Sequence, residues 1–188
     1  RDTHQNTNWK NVETAIEQVK EKEVLSPRAI LDLELKELQS RIRPAGYYRQ
    51  KSARLVRLSR WLLESCEGAP ELLQEWPEDE LRRELVSIKG IGPETADSIM
   101  LYALEQPVFV VDTYTMRYAV RHNLIDANAN YYELQRLFID HLPRDLELYK
   151  DFHAQLVELG KRYCRPDPRC GECPVLPVLG EPQLEEEF

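Results

Sequence analysis

Leu85-Val86-Ser87-Ile88-Lys89-Gly90-Ile91-Gly92-Pro93-Glu94-Thr95-Ala96 is the stretch that decides the architecture of this chain. Apolar residues at helical spacing lead into two glycines that bracket one isoleucine. A proline then stands where a new helix would begin, a position that suits its fixed φ. Glycine adopts positive φ without strain and lets another backbone approach closely. The stretch therefore predicts two amphipathic helices joined by a Gly-hydrophobic-Gly turn, with Ile91 plugged between them. The first N–H groups of the second helix have no intrahelical acceptor and favour an anion such as phosphate. Read by itself, the same stretch is also an ordinary αα-hairpin.

Helical periodicity continues outward from this turn in both directions. Upstream, Val12, Ile16 and Val19 mark one face of a helix over 8–22. Ser26-Pro27 opens a second, carrying Ile30, Leu31, Leu35 and Leu38 until Arg43-Pro44-Ala45-Gly46 breaks it. A third helix is predicted over 49–65 and a fourth over 78–88, with a partly helical connection at 68–77. Downstream, the helix after the turn reaches Leu104, and helices follow near 113–122, 130–140 and 145–161. The apolar run at 107–111 is too brief to support a sheet, so the predicted class is all-α.

The 188 residues suffice for one domain or two small ones. A hydrophobic share of 42% and a charged share of 31% describe an ordinary globular protein. No run approaches the ~20 apolar residues of a membrane span. No basic segment leads into an apolar one as in a secretory signal. The formal charge of -8 argues against a protein that coats nucleic acid non-specifically. Four of those negatives, however, lie in the last eight residues, and 41–60 holds Arg41, Arg43, Arg49, Lys51, Arg54, Arg57 and Arg60 with no acid. Tyr47 and Tyr48 lie among them, and bases interleaved with aromatics suit phosphate contact plus base stacking. The alternative is a solvated helix face that pairs with 64–84, where eight acids face two arginines.

Three further features carry chemistry. In Val110-Val111-Asp112-Thr113, a carboxylate follows an apolar run and starts a helix. Asp112 reads as an N-cap or as a functional carboxylate at the mouth of a cleft, and the two roles are compatible. Gln5-Asn6-Thr7-Asn8-Trp9 sets amides beside an aromatic, either to contact bases or simply to begin a helix. Cys164-x5-Cys170-x2-Cys173 clusters three of the four cysteines and reads as metal or iron–sulfur ligation more than as a disulfide framework. Such cysteine use predicts a cytoplasmic protein. Cys66 stands apart and is predicted to be a buried packing residue.

In this order, these features resemble the endonuclease III-like helix–hairpin–helix DNA glycosylases, from about Gln5 to Cys173. Arg43-Pro44-Ala45-Gly46-Tyr47-Tyr48, Gln50-Lys51, Lys89-Gly90-Ile91-Gly92 and Val111-Asp112 look most like the 3-methyladenine glycosylase branch. The resemblance implies a two-part helical fold with a cleft between the parts, which would receive a flipped nucleotide. It divides the chain into an N-terminal part at 1–22, a helical barrel at 23–125 with the hairpin at 80–104, a C-terminal part with the cysteine loop at 126–176, and an acidic tail at 177–188. Asp112 would be the catalytic carboxylate, because loss of a base leaves oxocarbenium character that a carboxylate stabilises. Lys89, Gly90, Gly92, Thr95 and Lys51 would contact DNA. Gln5 would fill the gap left by the flipped base, Tyr47 would wedge opposite it, and Trp9 would stack on it. Cys164, Cys170 and Cys173 would bind a [4Fe–4S] cluster. The partner would be double-stranded DNA with a damaged base, met by a monomer in the nucleoid of a prokaryotic-type cell.

Three departures from the family pattern qualify that expectation. Bifunctional members carry a Schiff-base lysine two residues after the second hairpin glycine; here that position is Glu94, which predicts a monofunctional enzyme without lyase chemistry. The family's cluster uses four cysteines, and the fourth position falls on Leu179, leaving a three-thiolate cluster with an outside ligand, or zinc, as alternatives. The segment before Gln5 is shorter than in the family, so a truncated N-terminus is expected. Two other functions remain open at this level: a degenerate, non-catalytic DNA-binding hairpin protein, and an all-α protein-interaction domain. The latter leaves the hairpin, Asp112 and the basic segment jointly unexplained.

Overall fold

The structure, a computed structural model, describes residues 9–20 and 26–183, with only the backbone of Trp9. Among the described residues every regular element is helical. The chain forms two compact units that divide between Ile91 and Gly92, within the glycine turn.

The first unit carries α1 (Trp9–Lys20), α2 (Pro27–Asp32), α3 (Leu35–Ile42), α4 (Tyr48–Cys66) and α5 (Glu78–Ser87). Ser26 caps α2, its Oγ accepting from the Ala29 amide at 3.1 Å, with Pro27 at the first helical position. The single helix expected to run from Pro27 through Leu38 is two. Leu33 leaves helical conformation at φ -75°, ψ 139°, and α3 starts after Glu34. The break has a packing cause: it lets Ile30 and Leu33 join the cluster of Val19, Leu38 and Ile42, against which Leu55 and Val56 of α4 also pack. Both side chains, Ile30 and Leu33, are partly buried there, and that burial offsets the hydrogen bonds lost at the break. Cys66 is buried as expected, its thiol donating to the Leu62 carbonyl at 3.0 Å.

The second unit carries α6 (Pro93–Ser98), which runs directly into a single π turn at Ile99–Ala103, then α7 (Thr113–Arg121), α8 (Tyr131–Ile139), α9 (Leu146–Arg162) and the short α10 (Leu176–Leu179). The apolar run at Val108–Val111 threads this unit as buried irregular chain. Phe109 stacks on Phe138 at 4.7 Å and meets Tyr149 and Phe152 edge-on. Without a strand partner, its carbonyl needs another donor. Gln135 supplies one: Nε2 donates to Phe109 O at 2.6 Å and to the buried Asp97 carboxylate at 2.7 Å, which also accepts from the Tyr131 hydroxyl at 2.8 Å.

Helices α7 and α9 meet at Gly160, where a Cβ would stand 2.3 Å from Tyr114 Cδ1 and 2.7 Å from Tyr114 Cβ. In an open helix Gly→Ala gains about 1 kcal/mol. Here the obstructing atoms include the root of the tyrosine side chain, so overpacking dominates. Gly160→Ala is expected to lower stability by about 1–3 kcal/mol, read as a drop in the thermal unfolding midpoint; an unchanged or raised midpoint would contradict this packing.

Candidate active site

Asp112 stands at the junction of two local constraints. Val110 and Val111 before it are buried, which pins the backbone, and Asp112 itself is the extended N-cap of α7. Its Oδ1 accepts from the Thr115 amide and the Thr115 hydroxyl, each at 2.8 Å. That leaves Oδ2 to face His153 of α9, whose Nε2 lies 3.7 Å away. His153 Nδ1 in turn lies 2.6 Å from the Tyr102 hydroxyl, on the π turn. The side chains of Asp112 and His153 are only 12% and 14% exposed, so these contacts act in a weakly screened setting.

The electrostatics separate two carboxyl groups. Burial alone would raise the Asp112 pKa, but His153 and the Thr115 amide and hydroxyl outweigh it, and the group sits below its ordinary range. Glu94, in the first turn of α6, moves the other way: crowding by protein raises its pKa, the Asp112 charge adds to this, and His153 partly opposes it. Glu94 itself is an exposed residue. Burial and the Asp112 charge likewise raise the Tyr102 phenol. An ionised carboxylate beside a more readily protonated one is the pattern that supports acid–base or cation-stabilising chemistry.

Of the two turn glycines only Gly90 takes positive φ, while Gly92 is extended. Gly90 adopts φ +97°, a region disfavoured for other residues, and Ile91 is buried. A Cβ on Gly90 would also stand 3.0 Å from Arg54 Cγ. Arg57 holds the turn, its Nη1 donating to Lys89 O at 2.9 Å. Gly92 is the extended N-cap of α6 and has open space where a Cβ would be. Lys89 and Thr95 are exposed beside it in the chain.

The basic stretch is an open face. Among the described residues its one ion pair joins Arg41 to Glu37, and none reaches an acid of 64–84. Arg49 lies over the Tyr48 ring at 5.8 Å. Tyr47 is 50% exposed and left-handed at φ +46°. Lys51 donates to Ala45 O at the preceding turn, and burial with the nearby Arg54 charge lowers its pKa.

Cys164, Cys170 and Cys173 line one recess of the second unit, with Tyr118, Arg121 and His122. Arg117 and Arg121 of α7 hold this loop: Arg117 donates to Cys164 O at 2.8 Å, and Arg121 to Arg165 O at 2.6 Å and Pro166 O at 3.1 Å. The donor set does not fit a four-thiolate cluster. Leu179, at the expected fourth position, is an exposed apolar residue, and among the described residues no three His, Cys, Asp or Glu side chains converge to hold a metal.

Gln5 lies outside the described residues, as does the side chain of Trp9, whose backbone opens α1. The residues brought together around Asp112 are Glu94, Tyr102, Thr115 and His153. Tyr102 and His153 carry no motif that the sequence reading could use: each is one polar residue on an otherwise ordinary helical face.

Comparison with known proteins matches residues 3–144 to the HhH-GPD superfamily base excision DNA repair protein family. A protein of Methanocaldococcus jannaschii named as a candidate DNA repair glycosylase is 44% identical over 173 residues, 91% of this chain and 78% of that protein. Among solved structures, a trapped endonuclease III–DNA covalent intermediate is similar at TM-score 0.74 and 26% identity, over 90% of this chain and 75% of the other. The H. pylori 3-methyladenine DNA glycosylase MagIII bound to 1,N6-ethenoadenine is similar at TM-score 0.71 and 31% identity, over 84% of this chain and 80% of the other.

Proposed function

The chain belongs to the HhH-GPD superfamily of base excision DNA repair proteins, and from that premise we propose that it is a monofunctional DNA glycosylase in which Asp112 assists hydrolysis of the bond between a damaged base and its sugar. The observation that carries this reading is the Asp112 carboxylate, fixed through Oδ1 by Thr115 and held below its ordinary pKa range. As the N-glycosidic bond breaks, its electron pair leaves with the base and positive charge develops over C1′ and the ring oxygen. The carboxylate stabilises that charge. Water then adds at C1′ and gives up a proton, which Asp112 is positioned to accept. The product is a free base and an abasic sugar in an intact strand.

Glu94, standing where bifunctional members of the family carry their Schiff-base lysine, supports a purely hydrolytic route, since an imine needs an amine. The related endonuclease III was trapped as a covalent intermediate with DNA; Glu94 has no nitrogen with which to form one. DNA contact in this reading falls to the N–H groups around Gly90 and Gly92, aided by Lys89 and Thr95, with the basic face of α4 and Lys51 adding positive potential. Tyr47 wedges into the duplex, Gln5 fills the vacated space and Trp9 stacks on the extruded base. Alkylated purines are the proposed lesion class, supported by the likeness to MagIII. No step runs through the cysteine loop.

Incubation with a panel of duplexes bearing alkylated purines, oxidised pyrimidines or mismatches tests the proposal. The wild-type chain is expected to release an alkylated purine. Release confined to another class would overturn the substrate assignment, and release from none would overturn the activity.

A further inference from the structure

The glycosylase reading gives Asp112 a task but leaves its two aromatic neighbours without one. Thr115 occupies Oδ1 with both its amide and its hydroxyl, so that oxygen is fixed. The other, Oδ2, has His153 Nε2 at 3.7 Å, and the far side of that imidazole is engaged by the Tyr102 hydroxyl at 2.6 Å. The three groups come from three elements: the N-cap of α7, the middle of α9 and the π turn after α6. Single π turns recur at functional sites, where they re-aim a side chain out of the regular helical register.

We propose that His153 and Tyr102 are positioning residues for Asp112, with Tyr102 fixing the orientation and tautomer of the His153 ring and His153 holding Asp112 Oδ2 toward the reacting sugar. This deepens the glycosylase reading and rests on Asp112 being its catalytic carboxylate. When His153 is neutral, the Tyr102 hydroxyl donates to Nδ1, and the ring proton is left on Nε2, facing Oδ2. When it is charged, both ring N–H groups donate. At 3.7 Å the Nε2–Oδ2 contact is longer than a hydrogen bond and acts through charge and dipole. Active-site hydrogen bonds that are long in the free enzyme commonly tighten when substrate binds.

Glu94 approaches from the first turn of α6 and interacts with both Asp112 and His153. Lys150, one turn before His153 on α9, pairs instead with Glu105 at 3.6 Å and Glu147 at 3.1 Å. A merely structural Tyr102–His153 pair, clamping α9 to the π turn, would affect folding and leave the Asp112 carboxyl alone.

Two readouts on the full chain separate these accounts. Carboxyl-carbon NMR follows the titration of Asp112, assigned with Asp112→Asn, in wild type, His153→Leu, His153→Gln and Tyr102→Phe. Single-turnover base release and duplex binding are measured in parallel on whichever duplex the wild type processes. In His153→Leu the Asp112 carboxyl is expected to titrate at higher pH, because its anion loses a partner. The base-release rate is expected to fall by about 10²-fold, as for a displaced catalytic group, with duplex affinity unchanged. His153→Gln, whose amide nitrogen stands near the place of Nε2, recovers most of both, and Tyr102→Phe moves both the same way by less. An Asp112 titration unmoved in a folded His153→Leu or Tyr102→Phe would overturn the proposal. If the wild type releases no base from any duplex, the glycosylase reading fails by itself, and the NMR titration still decides whether His153 and Tyr102 act on Asp112.

Discussion

Asp112→Asn is expected to lose base release by about 10²–10³-fold, the usual effect of removing one preorganised electrostatic group from a transition state, while duplex binding persists. The substitution is close to isosteric. Asparagine is as good an N-cap as aspartate, so its side-chain oxygen keeps accepting from Thr115 and α7 keeps its start. What disappears is the charge. Because folding lowers the carboxyl pKa from its ordinary 3.8, ionisation of Asp112 favours the folded state. That contribution is fully present above about pH 4 and is lost as pH falls through the lower folded-state value. Wild-type activity should therefore show no Asp112 titration between neutrality and about pH 4, and thermal stability at neutral pH should fall in Asp112→Asn by the share that ionisation contributes. A variant that binds the duplex and releases base at the wild-type rate would remove Asp112 from the chemistry.

Borohydride reduction during incubation with an abasic-site duplex is expected to give no covalent adduct with the wild-type chain. The trap captures only an imine between an amine and the opened sugar. The residue two positions after Gly92 is Glu94, and Lys89, on the other side of the turn, lies before the glycines. Glu94→Lys supplies the missing amine within electrostatic reach of Asp112 and His153 and is expected to gain an adduct. A strong adduct with wild type would mean that another amine does the chemistry, and the monofunctional assignment would fall.

How much of this was legible in the sequence follows from where each signal lives. The Gly90 turn, the cap at Ser26 and the start of α7 at Asp112 are local: glycine, proline and capping side chains act on the backbone within a few residues, so their spacing is visible in one dimension. The break at Leu33 was not visible, because Ile30, Leu31, Leu35 and Leu38 sustain helical spacing across it and packing against α1 and α4 decides otherwise. The π turn at Ile99–Ala103 was hidden too, since neither glycine nor proline marks it. Asp112 was identifiable through its motif, whereas His153 and Tyr102 reach it only through the folded arrangement of α9 and the π turn. The open state of the basic face was likewise beyond sequence: pairing of Arg49, Arg54, Arg57 and Arg60 with the acids of 64–84 is a question of distance, and the structure answers it with no such pair among the described residues.

The roles proposed for Asp112 and Glu94 both rest on hydrolytic removal of a base that leaves the strand whole. Mass spectrometry of the free base released from an alkylated duplex under single-turnover conditions, with the strand resolved before and after alkali, tests it most directly. Free base in solution and a strand that breaks only on alkali treatment are expected. A duplex that is bound and recovered with its damaged base still attached would contradict it.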